Sequence, residues 1–253
     1  MNSNTKIDLG LKVLQARLQP VSTAPLGAPA GPPPFLTLSR ETGAGAATLG
    51  RHLLARLETE AGGRPAEPWA LFDKDLLTCA LRQQQLPGRL AEFLPEDRVS
   101  EVTATIGELV GLHPSLWELE HRVMAAILQL AHLGRVILVG RAAHLITRSL
   151  PGGLHVRLVA PLESRVHRFM AAQECSAAEA EARILKSDRA RERYVRTNFG
   201  HAAGDALDFD LVINTDRIPP SQAAPLVLGA LQNRLDSLAS APGQKRPAGV
   251  PAY

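Results

Sequence analysis

Aromatic side chains make up only 4% of the 253 residues, too few to supply the base-stacking platforms on which single-strand binders rely. The core must instead be drawn from Leu, Val, Ile and Ala, within an apolar fraction of 45% that is ordinary for a globular chain. Cysteine is nearly absent. Cys79 and Cys175 stand outside any metal-ligand spacing, which argues against a zinc module or disulfide framework and reads as two idle thiols in a reducing compartment. No apolar run approaches the roughly 20 residues of a membrane span. The opening MNSNTKIDLGLKVLQARLQP has neither the basic start nor the compact apolar stretch of a signal peptide. The expectation is a cytoplasmic protein that engages no membrane. A net charge of +3 does not mark a nucleic-acid partner either, and none is expected.

What is present divides into three parts. Residues 1–34 end in PVSTAPLGAPAGPPP, whose Pro and Gly content forbids regular structure and predicts a flexible tether. The tail, residues 240–253, has the same character and is expected to be disordered. Between them, residues 35–239 alternate short apolar runs with helical patterns. Strands are expected at Phe35–Leu38, Trp69–Phe72, Val136–Val139, His155–Val159 and Leu211–Ile213. Runs such as RVILVG are apolar through successive residues, as in strands covered on both faces of a parallel sheet. Helices are expected at Thr48–Glu60, Lys74–Gln83, Leu116–Leu133, Leu162–Gln173, Ala177–Arg196 and Ser221–Leu238. This alternation predicts an α/β doubly wound fold with right-handed crossovers.

In such folds ligands sit at the carboxyl ends of the strands. The first of these ends is SRETGAGAATLG. Gly43 and Gly45 allow backbone amides to approach an anion, and the helix that follows offers unpaired N–H groups and its positive dipole end. Thr42, Gly43, Ala44, Gly45, Ala46, Ala47 and Thr48 thus form a candidate phosphate cradle, with the Thr48 hydroxyl available to a magnesium ion. A tight turn that needs glycine for geometry alone is the competing reading. After the third strand, VGRAAHL places Arg141 at the same edge, suited to planar capture of a phosphate. ILKSDRARERYVR carries Arg189, Arg191 and Arg193, which cannot share one helix face and so predict a flap that folds over a ligand; a solvated charged helix with Glu192 and Asp188 as partners is the alternative. Asp73 and Lys74 close the second strand near the same cleft, where Asp73 also suits a helix cap.

In order along the chain, LTLSRETGAGAATLGRHLLARL, LFDKDLL, VILVGRAAHLI, VRLVAPLESRVHRF, SDRARERYVR and DLVINT resemble the cytidylate kinase-like family of P-loop nucleoside monophosphate kinases. The resemblance runs from Phe35 to about Leu231. It implies a three-layer P-loop NTPase fold: a five-stranded parallel sheet in the order 2-3-1-4-5, a helical NMP-binding insertion and an arginine-rich lid. It also implies ATP and Mg2+ as cofactors and a nucleotide or small phosphorylated substrate. Two departures touch the chemistry. Where cytidylate kinases carry Gly-x-x-Gly-x-Gly-Lys-Gly-Thr, this chain has Arg40 for the first Gly and Ala46 for the Lys; where they hold cytidine with an Asp after Gly-Arg, it has Ala142.

Losing one well-aimed donor to a developing negative charge typically costs about 2.7–4 kcal/mol, and phosphoryl transfer depends on such donors. Arg40, six residues before Ala46, is the candidate replacement cation, with an ion pair to Glu41 or Glu163 as its alternative. The expected activity is transfer of the ATP γ-phosphoryl group to CMP or a related acceptor. Arg40, Arg189, Arg191 and Arg193 would be catalytic, and Asp73, Lys74 and Arg141 would hold the acceptor. A nucleotide-binding regulator of the same fold, impaired in catalysis, is the alternative; a partner-binding protein using its proline-rich segment is a third reading.

Overall fold

The structure is a computed structural model that describes residues 32–59, 68–72 and 116–240. The expectations for residues 1–31, for a helix at Lys74–Gln83, for the inserted helices and for the tail beyond Ser240 lie outside the described residues, as do Asp73, Lys74 and Cys79.

Five strands form one parallel sheet: β1 (Phe35–Arg40), β2 (Ala70–Phe72), β3 (Val136–Val139), β4 (Gly153–Val159) and β5 (Leu211–Asn214), in spatial order β2-β3-β1-β4-β5. This is the order expected from the sequence. Among the described residues the helices are α1 (Ala46–Thr59), α2 (Leu116–Leu133), the single turn α3 (Ala143–Ile146), α4 (Leu162–Gln173), α5 (Ala177–Phe199) and α6 (Pro220–Ser240), with a short 3-10 turn at Ala206–Asp208. Strand and helix limits fall within a few residues of those read from the sequence; α3 and the 3-10 turn were not anticipated.

The period of two along the strands sorts side chains to opposite faces. Leu36 and Leu38 of β1, Ile137 and Val139 of β3, and Val156 and Leu158 of β4 share one core with Leu49 and Leu53 of α1 and with Ala223, Val227 and Leu231 of α6. On the other face Phe35, Val136 and Leu138 pack against Val123, Ile127 and Leu130 of α2. Along the two central strands this second face becomes polar toward the carboxyl end. Thr37 pairs with His155 and Ser39 with Arg157 in the β1–β4 register, in place of the apolar residues expected of a doubly covered sheet.

α5 spans the full length of the arginine-rich stretch as one continuous helix. Ser176 caps it by accepting from the Glu179 amide, Glu179 reciprocates to the Ser176 amide, and Gly200 ends it at φ 70°. Val195 on its inner face packs with Ala142 and Leu145, which seats the helix over the carboxyl edge of β1 and β3.

Candidate functional site

The turn after β1 needs its glycines for two reasons. Gly43 and Gly45 have φ of 81° and 88°, which L-residues adopt only with strain. A β-carbon at Gly43 would stand 2.8 Å from the Arg165 carbonyl oxygen, and one at Gly45 would stand 3.1 Å from Pro220 Cγ. Backbone conformation therefore favours glycine at both positions, and at Gly43 the Arg165 backbone excludes a side chain as well. Ala44 is fully buried, Ala46 is 5% exposed within the core, and Ala47 faces solvent. Position 46 itself therefore faces the interior. The Thr48 hydroxyl accepts a hydrogen bond of 3.3 Å from Arg51 one turn further along α1.

Thr42 carries the anion chemistry of the turn. Its amide and its hydroxyl both donate to Asp188 Oδ1, at 2.8 and 2.7 Å. Arg191 Nη1 donates to the same carboxylate oxygen at 3.0 Å and to the Thr42 hydroxyl at 2.6 Å. Arg165 Nη1 donates to Asp188 Oδ2 at 2.6 Å and to the Thr42 carbonyl at 3.2 Å, while its Nε donates to the Ala160 carbonyl at 3.0 Å. Four donor groups thus converge on one carboxylate at the mouth of the loop. Glu41 completes the arrangement by accepting from the Ala160 amide and lying 3.5 Å from Arg165.

Beside this cluster opens a cleft of about 320 Å³. Arg40, Arg141, Arg189 and Arg191 all line it, so the structure brings together four of the arginines singled out in the sequence. Arg40 lies over Gly140, where a β-carbon would collide with its Nη1; its guanidinium thus sits between the ends of β1 and β3. Arg141 is presented by an unusual backbone: Gly140, Arg141 and Ala142 have successive φ values of 87°, 54° and 51°. A non-glycine residue in this region costs roughly 1–2 kcal/mol. The Arg141 Nε is buried with no hydrogen-bond acceptor among the described residues. Arg193 differs from the others: it is exposed and lies outside the lining of the cleft.

Three lining residues were not foreseen. Asp188 read as an ordinary partner on a charged helix, yet its bonds reach Thr42, 146 positions away. Arg157, on the polar face of β4, donates to Ser39 Oγ and to the Ala203 carbonyl and lies 5.6 Å from the Phe209 ring centroid. His144, 4% exposed, stacks on Phe209 at 4.4 Å. Burial, reinforced by the nearby His155, Arg157 and His201, lowers its pKa from 6.5 to about 3, so its imidazole is neutral at physiological pH. Arg165, just outside the lining, was also missed. The one local signal was HVRLV, where a histidine and an arginine alternate with apolar residues in a strand expected to be covered on both faces.

Among the described residues no helix is long and apolar enough to cross a membrane, and no group of three or more His, Cys, Asp or Glu side chains could hold a metal ion.

Comparison with known proteins agrees with this fold. A cytidylate kinase from Sulfolobus acidocaldarius is 37% identical over 82 residues, which cover 32% of this chain and 44% of that protein. A uronate isomerase from Corynebacterium glutamicum is 33% identical over 92 residues, 36% of this chain but 18% of the relative. The chain thus spans less than half the length of either. An uncharacterized protein from Eubacterium ventriosum, solved by crystallography, shares the fold at a TM-score of 0.57 and 16% identity, covering 79% of this chain and 98% of its own. The model of the cytidylate kinase-like family matches residues 35–217, most of the chain, and the chain belongs to that family.

Proposed function

We propose that this protein is a small-molecule kinase that transfers the γ-phosphoryl group of ATP to an acceptor bound in the arginine-lined cleft. CMP or a related phosphorylated molecule is the acceptor class. The observation that carries the reading is the convergence of the Thr42 amide, the Thr42 hydroxyl, Arg165 and Arg191 on a single carboxylate. Donors arranged around one oxyanion are suited to another, and a phosphoryl group offers more oxygens to the same fork-shaped partners.

The turn Thr42–Thr48 would hold the triphosphate through its backbone amides, aided by the amino end of α1. Magnesium fits less fully: Thr48 is the one hydroxyl on the first turn of α1, it already faces Arg51, and the phosphates themselves would supply most of the ion's oxygens. MgATP, when bound, would supply the transferable γ-phosphoryl group, with ADP as the leaving group. This chain's own residues would then do three things. Arg141 and Arg189 would fix the acceptor's anionic end, with Asp73 and Lys74 as further candidates from the second strand. Arg40, over Gly140, would replace part of the charge that a loop lysine provides elsewhere, and Arg193 would join only if the lid helix turned. α5, seated on Ala142 and Leu145, would exclude water, which competes as an acceptor.

Incubating the purified chain with labelled ATP, Mg2+ and a panel of nucleoside monophosphates and phosphorylated metabolites tests this. A labelled product is expected with at least one acceptor, reduced by Arg40→Ala. The buried Ala46 favours a second reading, a nucleotide-binding regulator without turnover. In that case MgATP raises the melting temperature while no acceptor is phosphorylated.

A further inference from the structure

Five arginines and three carboxylates line the cleft, and one of the arginines is held apart from those carboxylates. Arg157 rises from β4 into the lining. Among the described residues its hydrogen bonds are to neutral groups: Nη1 donates to Ser39 Oγ at 3.2 Å and to the Ala203 carbonyl at 2.6 Å. Its third neighbour is the Phe209 ring. The three carboxylates nearest in charge, Glu41, Asp188 and Glu192, are each committed to other donors. Glu41 accepts from the Ala160 amide, Asp188 from Thr42, Arg165 and Arg191, and Glu192 from Arg196 and the Ala203 amide. Burial accordingly disfavours the charged form of Arg157, and these carboxylates only partly offset that.

A cation withdrawn from water is normally paired. With Nη1 occupied, the Nε and Nη2 edge of Arg157 remains for a planar oxyanion. Nη2 lies 3.6 Å from where a β-carbon on Gly204 would stand, so the absence of a side chain there keeps that edge approachable. Neutral surroundings, His144 stacked on Phe209 together with Ala142 and Ala203, would strengthen a charge-assisted bond formed there.

We infer that Arg157 is a second anion subsite in the cleft, and that the acceptor carries a carboxylate at the end opposite its phosphate. The phosphate would lie at the Arg141 and Arg189 mouth and the carboxylate on the Arg157 edge. This inference rests on the proposed acceptor role of the cleft and narrows it from any phosphorylated small molecule to a phosphorylated acid.

Calorimetric titration of the full chain with two matched pairs tests it: glycerol 3-phosphate against 3-phosphoglycerate, and uridine 5′-monophosphate against orotidine 5′-monophosphate. Each pair differs in the carboxylate. In at least one pair the wild type should favour the acid by about tenfold or more, the effect of one charge-assisted contact. Arg157→Gln should reduce that preference to about twofold or less, and Arg157→Lys, which keeps charge without the fork, should fall between. A merely structural role, tying the Ala203 loop to the sheet, would lower thermal stability in Arg157→Gln but leave the ratio within a pair unchanged. Equal affinity within both pairs for wild type, or a preference that survives in Arg157→Gln, overturns the inference alone. If none of the four ligands binds, the acceptor reading of the cleft falls with it.

Discussion

Acidification should destabilise this protein through a residue that sequence reading passed over. His144 is neutral in the native state, with its pKa lowered to about 3 by burial first and by His155, Arg157 and His201 next. In the unfolded chain the same imidazole titrates near 6.5. Between those values the unfolded state binds a proton that the native state does not, so stability falls as pH drops through 6.5. The slope approaches ~1.4 kcal/mol per pH unit for one such group, and between pH 7 and pH 4.5 it amounts to about 2.5 kcal/mol. His155, lowered chiefly by burial, adds in the same direction. Urea denaturation across this range isolates His144 if wild type is compared with His144→Phe, which keeps a ring against Phe209 and cannot titrate. The gap between the two should shift by about 2.5 kcal/mol in favour of the variant as pH falls, while contributions common to both cancel. A gap that stays flat from pH 7 to 4.5 would refute the placement of a neutral, enclosed imidazole in the cleft wall.

Three further outcomes follow from other parts of the structure. Ala142→Gly relieves one left-handed non-glycine residue and should raise stability by about 1 kcal/mol in chemical denaturation. Asp188→Asn leaves Arg165 and Arg191 facing each other without their carboxylate and should cost about 2 kcal/mol; added sulfate or phosphate should restore part of the melting temperature, an effect weaker in wild type. Leu49→Ala, which empties a fully buried position between α1 and the sheet, should cost about 2–5 kcal/mol without altering ligand preferences, read by calorimetric melting and titration.

The sheet was legible in the sequence because its strands are coded locally. VILV and LVIN are largely apolar through successive residues, and the helices between them carry their own periodicity, so the elements could be read locally, while their order in the sheet came from the resemblance to the cytidylate kinase-like family. The arginines at the cleft were legible where they stand at the end of a strand or just after it, as Arg40 and Arg141 do. What was not legible depends on contacts between distant residues. Arg165 sits in LESRVHRF, an unremarkable helical pattern, and gains its role from Thr42, 123 positions away. Asp188 looked like a neighbour for the arginines beside it, and it is one, for Arg191. Its second allegiance to the Thr42 amide exists only because α5 crosses back over β1. Spacing also said that Arg191 should point away from Arg189 and Arg193; the cleft instead takes Arg189 and Arg191, since its wall follows α5 from Asp188 to Val195 and Arg193, within that run, is turned to solvent.

The two glycines of the loop have a bearing on how such chains change over time. Because Gly43 abuts the Arg165 backbone and Gly45 abuts Pro220, substitution at either site is penalised in folding before any ligand arrives. A descendant that gave up nucleotides altogether would still be held to the same spelling, Gly-x-Gly, by its own packing. Persistence of that spelling therefore records the architecture of the turn, while drift at Thr42 or Arg191, whose bonds serve an oxyanion, would be the earlier sign of a changed occupation.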